Sequence, residues 1–303
     1  MLTRDLVTFR GLYTEVATDF GPATPRCVFL VTPEGFKRAE ESAKDNVYMA
    51  DAAAFDASRA LSQHRDLVRD LSSVVPAIAF PGDAETPDAV FPNNVFATGA
   101  GNVVVGRMLH PVRQREAERS DMRSYFTSVM NLQEVDLSQQ PHACELTGAM
   151  VIDRARGIGF IGLSERCDEE GARLMHEAFG LRASLLFDLA PGEYHTNVVL
   201  AILAGRAAVI CPRGFASAEV AEFIGSLYAP HTVMCTDEEH QAFVGNCISA
   251  STDTVWMSAQ AAAALTAPHQ AILNAAGFKV RSVELDAIEA GGGSLRCCVG
   301  EIY

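Results

Sequence analysis

The sequence predicts a closed ring of five α/β units, each built as strand, strand, helix, strand. Three observations predict it. Five polar residues, Asn94, Glu145, His195, Asn246 and Cys297, recur at intervals of 51, 50, 51 and 51 residues. Each is followed by a short apolar run that reads as a strand, and about ten residues later by a second run consistent with a hairpin. Finally, Arg26-Cys-Val-Phe-Leu-Val-Thr-Pro-Glu-Gly-Phe36 at the start of the chain matches Ala207-Ala-Val-Ile-Cys-Pro-Arg-Gly-Phe215, so the N-terminal segment completes the unit that the C-terminal strand begins. Closing a ring in this way removes open sheet edges. It also turns the five periodic residues towards one central pocket.

The individual runs support this unit. Val95–Thr98, Met150–Ile152, Asn197–Ile202, Cys247–Ala250 and Cys298–Ile302 are the expected first strands, with the two terminal cysteines on opposite faces by period-two alternation. Val103–Val105, Gly159–Leu163, Ala208–Cys211 and Thr254–Met257 are the second strands. An amphipathic stretch follows each, including the alanines 261–264, and then a closing strand such as Ala183–Asp188 or Lys279–Leu285. No linker rich in Pro, Ser or Gly interrupts the period, which predicts one domain over residues 1–303.

Composition narrows the function classes. With 303 residues and 49% hydrophobic content, the chain has enough apolar side chains for a sizeable core. A net charge of −14 disfavours nucleic acid as a partner. Met1–Gly21 carries Arg4, Asp5, Arg10, Glu15 and Asp19, unlike a signal peptide, and the apolar run Val198–Leu203 is ended by Gly205 and Arg206, too short for a membrane span. Eight cysteines without CxxC spacing fit neither a disulfide framework nor a zinc site. These features point to the cytoplasm, and they leave monomer and homo-oligomer both open.

Candidate site residues follow from the period. Pro87 and Pro92 stiffen a loop carrying Asp88 and Asn94, a carboxylate and a carboxamide suited to a planar group with several N–H donors. Turn chemistry is the bland alternative there. Glu145 heads an apolar strand, where an unpaired carboxylate is costly. Arg166, in a strand-to-helix turn, suits bidentate capture of a carboxylate or, equally, a salt bridge to Glu169 or Glu170. A lone histidine is more often structural than catalytic, but His195 in phase with Cys297 and Glu145 becomes a general acid/base. Asn246 is assigned to a turn, and Cys211, Cys235 and Cys247 to the core.

Together the strings PDAVFPNNVFATG, CELTG, IGLSERCDEEGARL, YHTNVVLA and GGGSLRCCVGEI resemble the guanidino-group-modifying, or amidinotransferase, superfamily. Its members include arginine deiminases, dimethylarginine dimethylaminohydrolases, succinylarginine dihydrolases and glycine amidinotransferases. FPNN, YHTN and GGGSxRC are most similar to the bacterial citrulline-utilisation hydrolases. The resemblance implies the pentein fold, a five-bladed α/β propeller of ββαβ units. It also implies Cys297 as nucleophile, His195 and Glu145 as its catalytic partners, Asp88 and position 94 as guanidinium ligands, and Arg166 with Arg113 as carboxylate ligands. Asn94 and Asn197 stand where many members carry Asp, which leaves room for a neutral ureido group.

The implied chemistry is attack of the Cys297 thiolate on a guanidino or ureido carbon. Protonation of the departing amine by His195 and hydrolysis of the covalent intermediate follow, with Glu145 orienting His195 or binding substrate nitrogen. A small guanidino or ureido amino acid is the expected partner, with no cofactor and no metal. An amidinotransferase with an amine acceptor and a non-catalytic binding protein on the same fold are the alternatives; retention of Cys297, His195 and Glu145 ranks the latter last.

Overall fold

In a computed structural model that describes residues 1–303, the strands form five separate sheets. The first joins Gly300–Ile302, Cys27–Val31 and Ala77–Phe80; the second Phe96–Thr98, Asn102–Val105 and Gln133–Asp136. The third contains Met150–Asp153, Ile158–Leu163 and Ala183–Asp188, and the fourth Leu200–Leu203, Ala207–Ile210 and Thr232–Met234. The fifth has Thr254–Ser258 and Lys279–Val283, with a single Ile248–Trp256 bridge in place of the first strand.

One pattern repeats. The first two strands of the first four sheets pair antiparallel, and in all five sheets the second and third expected strands pair parallel. A parallel pair needs a crossover, and helices provide it: Glu169–Ala178 in the third sheet, Ala218–Tyr228 in the fourth, Ala57–Ser72 in the first. The last of these buries Ala60, Gln63, His64, Leu67 and Leu71, one face at helical spacing, and Asp56 caps its start by accepting from Arg59 N. Because helices cover the outside and neighbouring sheets the inside, Val103, Val104 and Val105 are buried on both faces. At roughly 1.5–3 kcal/mol for each fully buried aliphatic side chain, that short run contributes several kcal/mol.

Several sequence expectations are corrected. The polar periodic residues do not head strands directly. A helical turn intervenes at Pro92–Asn94, Leu146–Ala149, Thr196–Val199 and Leu295–Cys298. The run Asn197–Ile202 is therefore a turn followed by a strand from Leu200, and Cys297 and Cys298 lie in a 3₁₀ turn rather than on two faces of a strand. Short buried apolar runs carry no periodicity that separates turn from strand. Cys247–Ala250 makes only the one bridge. At the N-terminus, Leu2–Thr3 adds a parallel strand beside Ser184 and Leu185, too short to leave a sequence signal. No helix is long and apolar enough to cross a membrane.

The expected terminal pairing is present, with Gly300 opposite Phe29, Glu301 opposite Val28 and Ile302 opposite Cys27. The next sheet holds the same strand, since Thr98 Oγ1 donates to Glu301 O and accepts from Tyr303 N, both at 3.0 Å. Gly300 is required by space, because a Cβ there would stand 2.1 Å from the Phe29 ring. Gly300→Ala is expected to cost about 1–3 kcal/mol through overpacking, read as a lower urea midpoint with unchanged slope.

Candidate active site

The site is assembled from the turns that precede the strands. Thr147 Oγ1 of the second turn donates to Asn93 O of the first (3.0 Å), and Thr196 Oγ1 of the third donates to Ala149 O of the second (2.5 Å). Asn246 Nδ2 donates to Asn197 O (2.8 Å), and Arg296 N donates back to Asn246 Oδ1 (3.0 Å). The fifth turn packs on the first. Each turn thus braces the next around a common centre.

A small cavity lies there, and Asp88, Asn94, Arg113, Arg166 and Cys297 are on its wall. Glu145, His195 and Asn197 are fully buried beside it. His195 Nε2 and Glu145 Oε2 are 2.8 Å apart, Leu109 N donates to Glu145 Oε1 at 3.0 Å, and Arg166 Nη1 stands 3.6 Å from Glu145 Oε2. Burial pushes the Glu145 carboxyl up, but Arg166, the His195 hydrogen bond and Arg113 outweigh it and hold the group at about 2. An ionised carboxylate only accepts, so Nε2 of His195 carries the proton. Burial also lowers the His195 pKa, favouring the neutral ring. Nδ1 is then a bare lone pair, and it has no hydrogen-bond partner. Gly148 allows this packing: a Cβ there would lie 2.5 Å from Asn94 Oδ1 and 2.9 Å from His195 Nδ1.

The acceptors are similarly unfilled. Asp88 Oδ2 accepts from Ser42 Oγ at 2.6 Å, whereas the buried Asp88 Oδ1, Asn94 Oδ1 and Asn197 Nδ2 have no partner. Two acceptors and one donor left unpaired out of water are unfavourable unless something binds them. Cys297 Sγ lies 3.7 Å from Asn197 Oδ1, and burial raises its pKa despite the hydrogen bond from Asn246, so the resting group is a thiol.

Two arginines are engaged differently from expectation. Arg166 donates to Asp45 through Nε (2.7 Å) and Nη2 (2.9 Å), and to Ser42 O; its partner is neither Glu169 nor Glu170. Asp45 also meets His110 Nε2 at 2.8 Å. Arg113 is buried against Glu116 with two contacts of 2.9 Å and holds the carbonyls of Asp88 and Phe91, so it fixes the Asp88 loop. Asp45 and Ser42 belong to the irregular segment after the Cys27–Val31 strand, which also sends Asn46 and Met49 to the cavity wall. Sequence reasoning missed this segment because it lies outside the period. It also placed Asn246 in a structural turn, although Asn246 Nδ2 reaches Cys297 Sγ at 3.3 Å.

The family described as N,N dimethylarginine dimethylhydrolase, eukaryotic, matches residues 32–303. The chain belongs to this dimethylarginine dimethylhydrolase family. It is similar to the N(G),N(G)-dimethylarginine dimethylaminohydrolase of Mycobacterium tuberculosis strain H37Rv, 26% identical over 217 residues that cover 72% of this chain and 67% of that protein. Among solved structures, the N-terminal domain of ArgZ, an arginine dihydrolase from the ornithine-ammonia cycle in cyanobacteria, shares the fold with a TM-score of 0.79 at 19% identity; the match covers 91% of this chain and 98% of that one. A histidine-to-glycine variant of dimethylarginine dimethylaminohydrolase, held as an adduct with S-methyl-L-thiocitrulline, matches with a TM-score of 0.69 at 20% identity over 91% of this chain and 99% of that one.

This family member stores part of its stability in Glu145. The folded pKa of about 2 lies below the ordinary 4.5, so the contribution is complete above pH 4.5 and is lost as pH falls towards 2. Over that window Glu145→Gln should show a stability slope shallower than the natural protein's by up to about 1.4 kcal/mol per pH unit, measured by urea unfolding at a series of pH values.

Proposed function

We propose that residues 1–303 form a single five-bladed α/β propeller domain. We further propose that it is a cysteine hydrolase cleaving a C–N bond of a guanidino or ureido group in an arginine-type amino acid. One observation carries the reading: Cys297 shares a cavity with Asp88 and Asn94, whose inward acceptors are buried and unpaired. A planar group with N–H donors satisfies both and brings its central carbon to the thiol. The five sheets, their common pairing pattern and the bonded turns support five blades. Eight free cysteines fit a reducing cytoplasm.

In the proposed cycle, His195 Nδ1 takes the Cys297 proton and the sulfur forms a bond to the substrate carbon. The C–N bond then breaks as His195 returns the proton to the departing amine. Water, deprotonated by the same nitrogen, adds to the carbon and displaces the sulfur, which takes that proton back from His195 to restore the thiol as product leaves. Glu145 keeps the ring in the required tautomer and stabilises its cationic form, a role that its bond to His195 favours over direct binding of substrate nitrogen. Arg166 is the seat for a substrate carboxylate, and it is the seat that Asp45 holds. Entry of substrate exchanges one carboxylate for the other and moves the segment that carries Ser42.

A ureido substrate matches the unfilled groups better than a guanidinium. Asn94 Oδ1 and Asp88 Oδ1 accept its N–H groups, while Asn197 Nδ2 donates to its oxygen. A guanidinium has no acceptor for that donor. Purified enzyme given L-citrulline, L-arginine and dimethylarginine in parallel, with products identified by mass, is expected to release ornithine from citrulline. Citrulline formed from arginine or dimethylarginine, without ornithine, would move the preference to guanidino groups and keep the hydrolase. No product from any of the three, in a folded protein, counts against the hydrolase itself.

Cys297→Ser is expected to abolish turnover with the fold intact by circular dichroism. Cys298→Ser should keep most activity, because Cys298 is absent from the cavity wall and a hydroxyl can replace its contact with Ser294 O.

A further inference from the structure

Asn246 belongs to no part of the chemistry described so far, yet it touches the reacting atom. It ends the turn after the helix Asp237–Gln241, with its backbone N donating to Phe243 O at 2.9 Å, and it is 0% exposed. Every polar atom of its carboxamide is used. Oδ1 accepts from Arg296 N at 3.0 Å, and Nδ2 donates to Asn197 O at 2.8 Å and to Cys297 Sγ at 3.3 Å. The first bond fixes the peptide next to Cys297, and the second ties the turn that carries Asn197. Bracing the ring would require only those two. The third ends on sulfur.

We propose that Asn246 is a further catalytic residue, which holds the Cys297 sulfur for attack and stabilises it as negative charge develops. A neutral thiol is a weak acceptor, whereas a thiolate is a strong one. The N–H to sulfur bond therefore strengthens as the thiol ionises, and it lowers the barrier to forming the nucleophile rather than binding resting enzyme and reacting enzyme equally. Without it the fully buried sulfur would ionise with less support from its surroundings. The same amide fixes Cys297 from the other side through Arg296 N, so sulfur and backbone are positioned by one group.

The inference rests on Cys297 as the nucleophile, and its test is independent of the substrate. Asn246→Asp keeps an oxygen for Arg296 N, loses both donated hydrogens and sets a carboxylate beside the sulfur. Asn246→Ser removes the amide without adding charge. The rate of Cys297 alkylation by iodoacetamide is followed against pH, with the modified peptide identified by mass among the eight cysteines.

Both variants are expected to move the alkylation midpoint upward by about one pH unit or more, the aspartate further. Loss of one bond to a charged group corresponds to roughly a ten- to hundredfold change. With an accepted substrate, kcat should fall by a similar factor and KM should change little. A purely structural role would lower the thermal midpoint and leave the alkylation profile of the folded fraction in place. An unchanged profile in either folded variant overturns the proposal, and failure of both to fold assigns Asn246 to the scaffold and overturns it as well. A shifted profile in a protein whose Cys297→Ser form still turns over substrate would sink the nucleophile reading and leave the Asn246–sulfur interaction standing.

Discussion

The protein depends on a chain of hydrogen bonds between short turns, each turn belonging to a different sheet. Thr147 to Asn93, Thr196 to Ala149, Asn246 to Asn197 and Arg296 to Asn246 link successive units, and the Gly300–Ile302 strand brings the last unit back to the first. The first three of these bonds are buried and the fourth partly so, and breaking a buried one strands a polar group away from water. Residues about fifty positions apart are thereby held within contact distance.

On this frame the site balances charge tightly. Two arginines, Arg113 and Arg166, lie among Glu116, Asp45, Glu145 and Asp88, all of them fully or largely buried. Most are paired, and pairing makes burial tolerable. The exceptions are informative. Asp88 keeps one bare oxygen, Asn94 another, His195 a bare nitrogen and Asn197 a free N–H. These are the atoms on which the proposed reaction relies.

The segment containing Ser42, Asp45, Asn46 and Met49 supplies part of the wall of this cavity. It has little regular structure, and side chains rather than a sheet ladder hold it down: Ser42 on Asp88, Asp45 on Arg166 and His110. Its place against the site therefore rests on a few side-chain contacts.

By itself the sequence determined the repeat, the order of strands and helices in most units, and the terminal pairing. Apolar runs spaced by a fixed period leave few other ways to bury both faces of so many short strands. It also determined which polar residues converge, because equivalent positions of repeated units share one geometry: Asn94, Glu145, His195 and Cys297 were legible for that reason, and Asp88 from the proline-stiffened loop it shares with Asn94. Only the tertiary structure decided local turn geometry and the partners of individual side chains. Turn or strand at Thr196–Val199 and Leu295–Cys298, the engagement of Arg166 by Asp45, the clamp of Arg113 on Glu116 and the reach of Asn246 to sulfur all depend on partners tens to hundreds of residues away or on local turn geometry. Side-chain partners chosen across space leave no regular mark on the chain that supplies them.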